Sequence, residues 1–334
     1  MLPSNSEFAM NTKILSKGLV QFLVVAAFTT LTISTPLQAQ EGIKPFVLAA
    51  KITGEDISAV VSSTGEKLQQ AGFEVIGGYS PYKGAEVIVF TNDKLRKTAT
   101  RSERGGYGAA LRAAVTSNEG MIELAYTNPV YWANAYRLDD NLDDISAALK
   151  SALGAEQTFG TGDKVLSADD MRDFHYTFMM EYFDDPSIIG FFDTHQAAVE
   201  TVNRNLSEGV AGSKKVYQLD LGDDSTGKPM TLIGVGLGGV NDDDCSSDAY
   251  IMGRIDKSSP RHTAHLPYEM LVYGNNVEAL FGRFRIAVSW PHLPMMASET
   301  GATFMSIMCS PGAIEDSLTQ VAGGSSEQES GNEK

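Results

Sequence analysis

The chain has few of the residues that carry most metal and redox chemistry. Of its 334 residues, two are cysteine and five are histidine. No pair of cysteines lies close enough along the chain to suggest a structural zinc site. The sequence also lacks a Gly-x-Ser-x-Gly elbow or another nucleophile motif. Motifs alone therefore assign no reaction to this protein.

No long apolar run follows residue 40. Before it, Lys13 and Lys17 precede an apolar stretch over 19–33, and Ala39 stands where a signal peptidase would cleave. A membrane span needs about 20 apolar residues, and this stretch is shorter and contains three threonines. The pattern predicts a cleaved signal over 1–39 rather than a retained anchor. It therefore predicts a periplasmic or secreted protein with no membrane span in the mature chain.

Basic residues are outnumbered by acidic ones. The chain has 26 lysines and arginines against 42 aspartates and glutamates, which gives a net charge of -16. Such a surface repels phosphate backbones and anionic lipid head groups, so nucleic acid is not an expected partner. A small-molecule ligand remains possible, whereas the composition identifies neither a cofactor nor an oligomeric state.

The two cysteines, Cys245 and Cys309, admit two interpretations. In an oxidising compartment they could pair, and closing a loop of this length would be worth about 4 kcal/mol in the chain-entropy model. Cys309, however, follows the apolar stretch 304–308, which favours a buried free thiol. The sequence leaves both interpretations open.

The pattern of apolar residues predicts an α+β protein made of two tandem copies of one small α/β sandwich unit. A helix, strands, a hairpin and a closing helix follow in the same order in each copy, which predicts a mostly antiparallel sheet with helices packed on one face. The two closing helices, 144–154 and 313–323, resemble each other in sequence. The predicted boundaries are 40–155 for the first copy, 156–171 for a linker, 172–323 for the second copy and 324–334 for a disordered tail.

Further strands are predicted in the second copy at 175–180, 249–255 and 303–308.

A glycine-rich segment, 234–239, precedes the acidic residues of 241–244. A phosphate-binding loop needs a helix N-terminus directly after its glycines. This segment is therefore not interpreted as a nucleotide site.

The main candidate site lies on a predicted hairpin whose strands are 264–273 and 277–290. Its register places Glu269 opposite Arg283, with His265 and Arg285 on the same polar face. One carboxylate, two guanidiniums and an imidazole would suit an anion or an acid/base reaction. The alternative is an ordinary cross-strand ion pair on a solvated face.

A second candidate site would bind copper. His262, His292, Met295 and Met296 offer imidazole and thioether groups within one stretch, and soft sulfur with imidazole suits copper. Further methionines follow in the apolar run before Cys309. The alternative is that the methionines fill the core.

Five segments carry a strand–turn–strand–proline–helix pattern: 72–76, 87–90, 110–115 and 125–129 in the first copy, and 266–273 in the second. This pattern resembles the small α+β domains of the domain-of-unknown-function 302 family. Tyr268 stands where that family often has a cysteine, so a role tied to a thiol does not carry over. The resemblance implies a fold and no activity, since the family's function is not established.

Together these patterns predict a non-enzymatic exported binding protein for a small ligand. All five histidines and both cysteines lie in the second copy, so the site is expected there or between the copies. Two alternatives remain open. One is an enzyme that uses His265, Glu269 and Arg283, and the other is a copper-handling protein that uses histidines and methionines of the second copy.

Overall fold

The computed structural model describes residues 42–241 and 244–324. The predicted signal over 1–39 and residues 325–334 of the predicted tail lie outside this part of the chain. Among the described residues, no helix is both long and apolar enough to cross a membrane.

The first half of the chain builds a six-stranded sheet in which every neighbouring pair is antiparallel, in the order β2-β3-β4-β5-β1-β6. Its strands are β1 (Phe46–Ile52), β2 (Glu74–Tyr79), β3 (Ala85–Thr91), β4 (Leu111–Asn118), β5 (Met121–Thr127) and β6 (Gln157–Phe159). Its helices are α1 (Ile57–Gln70), α2 (Asp93–Ala99), α3 (Pro129–Ala135) and α4 (Asp143–Leu153). Helices α1 and α4 pack together on one face of this sheet.

Helix α1 shows how local sequence sets these elements. The side chain of Asp56 accepts a hydrogen bond from the backbone of Ser58 and so caps the helix start. Val60, Thr64 and Leu68 recur every four residues and form the buried stripe. Gly72 follows with a φ of 84°, a conformation that ends helices and favours glycine.

The second half builds a five-stranded antiparallel sheet in the order β7-β11-β10-β9-β8. Its strands are β7 (Ser187–Phe191), β8 (Ser213–Asp223), β9 (Pro229–Leu237), β10 (Tyr268–Tyr273) and β11 (Asn276–Ala279). Its helices are α6 (His195–Ser207), α7 (Asp248–Ile255), α8 (Gly282–Ser289) and α9 (Ser310–Val321), and a short α5 (Ala168–Arg172) joins the halves. Helices α6 and α9 pack against each other and against this sheet.

Both halves follow one order of elements. In each, a strand, a helix, two strands, a helix, two strands and two further helices succeed one another, and the first strand lies next to the last in the sheet. Helices α4 and α9, which contain most of the two similar segments 144–154 and 313–323, occupy corresponding places. The predicted α+β class, with mostly antiparallel sheets and helices on one face, is confirmed.

The uncovered faces of the two sheets meet. Arg112 of β4 reaches Glu269 of β10, and the ring of Tyr79 lies against Gly236 of β9. A Cβ at Gly234 would collide with the ring of Tyr217. These glycines therefore make room for aromatic rings between the sheets, which gives the glycine-rich segment a packing role.

Three predicted strands of the second half are wrong. Residues 249–255 form α7, where Ser247 caps the helix and Ile251, Met252 and Ile255 are buried at helical spacing. Residues 303–308 form a 3₁₀ turn over Phe304–Ile307, and 175–180 form no strand. Short apolar runs do not distinguish a strand from a buried helical turn, which explains these errors.

The predicted hairpin over 264–290 is wrong at its second strand. Strand β11 ends at Ala279, and α8 occupies Gly282–Ser289. Seven of its eight residues are buried, so the helix shows no polar face from which its period could be recognised. Arg283 and Arg285 consequently lie on a helix and not on a strand facing Glu269.

Candidate functional site

The structure separates the predicted ligand-binding residues into two groups. His265, Glu269 and Arg285 are buried together between the sheets. Arg283 is half exposed on α8 and pairs with Glu181. The cluster predicted for an acid/base site therefore does not form as one constellation.

Glu269 is the centre of the buried group. It forms an ion pair with Arg112 from the first half, accepts a hydrogen bond from the hydroxyl of Tyr217 at 2.6 Å, and has Arg285 at 3.9 Å. Burial alone would lower the pKa of Arg112, but the carboxylate of Glu269, together with Tyr217 and Tyr136, outweighs it, so the pKa lies above its ordinary value. The guanidinium of Arg112 is therefore charged at every physiological pH.

Arg285 is held by neutral acceptors. Its Nη1 donates to the hydroxyl of Tyr136 at 3.1 Å, and its Nη2 donates to the backbone oxygen of His265 at 2.8 Å. The guanidinium also lies 5.3 Å from the ring of Trp132, a distance typical of a cation–π contact. Arg285 thus ties α8 to α3 and to the segment before β10.

His265 is a neutral side chain in this environment. Its Nδ1 lies 2.7 Å from the hydroxyl of Ser289 and its Nε2 lies 3.2 Å from the hydroxyl of Tyr268. Burial, with Arg285 and Arg112 nearby, holds the pKa of the imidazole well below its ordinary value. A fully buried neutral imidazole with both nitrogens bonded to hydroxyls serves packing better than proton transfer.

A second buried carboxylate links the halves. Oδ2 of Asp248 accepts a hydrogen bond from the hydroxyl of Tyr79 at 2.7 Å and one from the backbone of Leu237 at 3.2 Å, while its Oδ1 has no hydrogen-bond partner. Burial raises the pKa of Asp248 to about 7, although the bonds from Tyr79 and Leu237 act in the opposite direction. The folded protein therefore favours the protonated acid.

The unfolding free energy should depend on pH because of Asp248. Because the folded pKa exceeds the unfolded one, the stability that Asp248 contributes is fully present below about pH 4 and is lost as the pH rises to about 7. We expect Asp248→Asn to gain about 2–4 kcal/mol in unfolding free energy relative to the wild type between pH 4 and pH 8. Urea denaturation at both pH values measures the difference. The exposed Asp163→Asn serves as the control, and a constant difference between Asp248→Asn and wild type would contradict the assignment.

The predicted copper ligands occupy different environments. The ring of His262 is buried, stacks on Trp290 at a centroid distance of 4.8 Å, and has its Nδ1 at 3.1 Å from the backbone oxygen of Ser289. Burial, with a smaller effect of His292, lowers the pKa of His262 to about 3. His292 lies 6.1 Å away, centroid to centroid. Met295 and Met296 are exposed, whereas His262 is buried. The four predicted ligands therefore do not share one environment.

Other metal ligand sets are not seen in the described ranges. Over 42–241 and 244–324, no group of three histidine, cysteine, aspartate or glutamate side chains is placed to hold a metal ion. Cys245 and Cys309 form a disulfide, which decides between the two interpretations of the cysteines and leaves no thiolate among them.

An apolar groove with a volume of about 410 Å³ lies where α8 and α9 begin, and we call it the methionine groove. It is lined by Met180, Phe281, Gly282, Arg283, Met295, Phe304, Met305, Met308, Pro311, Gly312 and Glu315. A Cβ at Gly282 would lie 2.9 Å from the Cα of Pro311, so glycine allows the two helices to approach at the base of the groove.

The methionines of this groove are exposed. Met295, Met305 and Met308 have 39%, 47% and 70% of their surface accessible. The sequence places the last two in an apolar run, which suggested core packing, and that expectation is wrong. An open cleft of this size with apolar walls and few charged groups is the usual form of a small-ligand site.

A larger cleft, of about 590 Å³, lies beside α6, and most of the side chains that line it are polar. Nδ1 of His195 lies 2.6 Å from the backbone oxygen of Gly274, and its Nε2 lies 2.9 Å from the hydroxyl of Thr231, which donates to Asp220. Gln218 also donates to Asp220. These side chains satisfy one another, so the methionine groove is the better candidate.

Comparisons with known proteins assign no family to this chain. No known family matches the chain by its sequence profile, and no curated protein is similar in sequence. A crystal structure of an uncharacterized conserved protein DUF302 from Bacillus stearothermophilus is similar over 31% of this chain and 94% of that chain, with 15% identity and a TM-score of 0.28.

Proposed function

We propose that this protein is an exported, non-enzymatic binding protein that takes a small, largely apolar ligand in the methionine groove. The observation that carries the proposal is an open cleft lined by four methionines and two phenylalanines, with Arg283 and Glu315 as its charged groups. Methionine side chains are flexible and polarisable, so they adapt to ligands of different shapes.

Two features support export. The first forty residues have the charge and apolar pattern of a cleaved signal. The disulfide between Cys245 and Cys309 is of a kind that persists in the periplasm or outside the cell and is rare in the cytosol. The proposed location is therefore periplasmic or secreted, after cleavage near Ala39.

We also infer that the two halves are diverged tandem copies of one unit. Apart from β6, which has no counterpart in the second half, the order of helices and strands is the same in both, and so is the order of strands within each sheet. Arg112 and Glu269 are each the second residue of the fourth strand, counted along the chain, of their half. The residues after them, Ala113 and Met270, pair with Tyr126 and Ala279, and helices α3 and α8 each start three residues after these partners. This agreement of register supports duplication more directly than the order of elements alone.

Ligand binding can be tested with 1-anilinonaphthalene-8-sulfonate, which combines an apolar body with one anionic group. We expect the native mature chain to bind it, and Met305→Glu/Met308→Glu to bind about tenfold more weakly, since a carboxylate would be desolvated against the probe. Val165→Glu/Val240→Glu, at two exposed valines outside the groove, is the matched control. Equal binding by both double variants would contradict the groove as the site, as would no binding by the wild type.

A further inference from the structure

Three methionines of the methionine groove lie on neighbouring stretches of backbone and line the same cleft. The backbone nitrogen of Met305 donates to the backbone oxygen of Met295 at 3.0 Å, which makes these two residues neighbours across two segments. Met305 lies in the 3₁₀ turn Phe304–Ile307, and Met308, three residues later, follows the turn with its backbone nitrogen 3.4 Å from the backbone oxygen of Met305. Side chains at this spacing eclipse in a 3₁₀ helix, so both project from one face, and both line the groove.

The ligand chemistry of this surface is soft and neutral. Thioether sulfur favours Cu(I) over hard divalent cations, which prefer carboxylate and water. The nearest cysteine, Cys309, directly follows Met308 but is held in the disulfide, so it offers no thiolate. Glu315 and Arg283, which carry opposite charges, line the same groove, so the attraction for a soft cation rests on the thioethers.

Core packing does not explain these sulfurs. A methionine that fills a core is buried, as Met252 and Met270 are, whereas Met305 and Met308 are largely accessible. Leucine would give the same apolar surface with a better-defined rotamer. What methionine adds at an exposed position is its sulfur.

We propose that the methionine groove binds Cu(I) through the thioethers of Met295, Met305 and Met308, with Met180 at the same groove as a further sulfur. The site keeps one of the four residues that the sequence suggested for copper. His262 and His292 are not among the proposed ligands, because the ring of His262 stacks on Trp290 and Nδ1 of His292 lies 3.0 Å from the backbone oxygen of Gly160. This proposal goes beyond the binding of an organic ligand and needs no redox step, since the ion binds in its reduced state.

The test uses the oxidised mature chain and Cu(I) kept reduced by ascorbate under nitrogen. Competition against a coloured Cu(I) chelator measures affinity, and Ag(I) in a parallel titration serves as a redox-inert soft ion. We expect a single bound Cu(I) per wild-type chain and affinity lowered at least tenfold, about 1.4 kcal/mol, in Met305→Leu/Met308→Leu. Met296→Leu, an exposed methionine outside the groove lining, is the matched control and should bind as the wild type does.

Leucine removes the sulfur and keeps the apolar wall, which separates this proposal from the organic-ligand site. If the wild type binds no Cu(I), or if all three proteins bind it equally, the copper proposal is overturned while anilinonaphthalene binding still stands or falls by itself. An equal loss in Met296→Leu would overturn the assignment of ligands. Anilinonaphthalene binding retained by Met305→Leu/Met308→Leu shows that the groove is intact, so that a loss of Cu(I) is due to the missing sulfurs.

Discussion

Replacing Glu269 by leucine is expected to lower the free energy of unfolding by about 3–5 kcal/mol. The carboxylate is the acceptor of Arg112 and Tyr217 and has Arg285 at 3.9 Å. Its loss leaves two buried guanidiniums without a counter-charge and one phenol without an acceptor, in a place where water does not compensate. The effect should appear in urea denaturation followed by circular dichroism.

Removing Arg112 and removing Glu269 should not lower the unfolding free energy by the same amount. In Arg112→Met the carboxylate keeps Tyr217 and Arg285, so we expect a smaller loss than in Glu269→Leu. In Arg112→Met/Glu269→Leu part of the loss should be recovered, because an apolar pair replaces a buried charge. Glu74→Ala, which breaks an exposed pair with Arg96, is the control and should cost less than about 1 kcal/mol. A loss in Glu269→Leu no larger than in this control would contradict the buried ion pair.

The pair also bears on how the halves recognise each other. Arg112 and Glu269 occupy the same position in the fourth strand of the two sheets. Two identical halves packed in this way would bring like charges together between the sheets, which is unfavourable. Opposite charges instead favour packing of the first half on the second, and they disfavour pairing of two copies of the same half.

The first half of the fold was largely predictable because its elements carry clear periods. The segments 87–90 and 110–115 correspond to β3 and β4, and the predicted closing helix over 144–154 corresponds to α4. Strand residues there alternate between a helix-covered face and a face toward the other sheet. Helix α4 buries only Ile145, Leu149 and Leu153, so its stripe is visible in the sequence.

The second half was less predictable because a helix that is buried on several sides lacks the alternation of apolar and polar residues by which its period is recognised. Helix α8 lies between the aromatic residues of α3, α9 and the segment before β10, and its apolar run was mistaken for a strand. Arg285 is a buried charged residue within that apolar run. Its partners, Tyr136 and Trp132, come from the first half, and no local sequence signal indicates contacts over such a distance along the chain.

The candidate site was misjudged for a related reason. Histidine and charge patterns point to His265 and Glu269, which are buried. Arg112 gives no such signal because it is a lone charge in the apolar run 110–115, and Tyr217 gives none because it lies in a strand whose residues are mostly polar. The signal for the groove was present in the methionines of 295–308. Their spacing of three residues at 305 and 308 fits a 3₁₀ turn, yet sequence alone does not tell which face of such a turn meets solvent.

The disulfide should have the second largest effect on stability. We expect Cys245→Ser/Cys309→Ser to lose about 4 kcal/mol in unfolding free energy, because the bond closes a loop between residues separated by 64 positions. The bond joins the segment before α7 to the residue before α9, beside Met308, so the variant should also bind anilinonaphthalene and Cu(I) less tightly.

Reduction gives an independent comparison for this prediction. Dithiothreitol should bring the wild type to the stability of Cys245→Ser/Cys309→Ser and leave that variant unchanged. If reduction alters the variant as much as the wild type, the effect does not come from this bond. If stability falls while Cu(I) affinity is unaltered, the start of α9 keeps its position without the cross-link. The disulfide would then stabilise the fold mainly by restricting the unfolded chain, without orienting the groove.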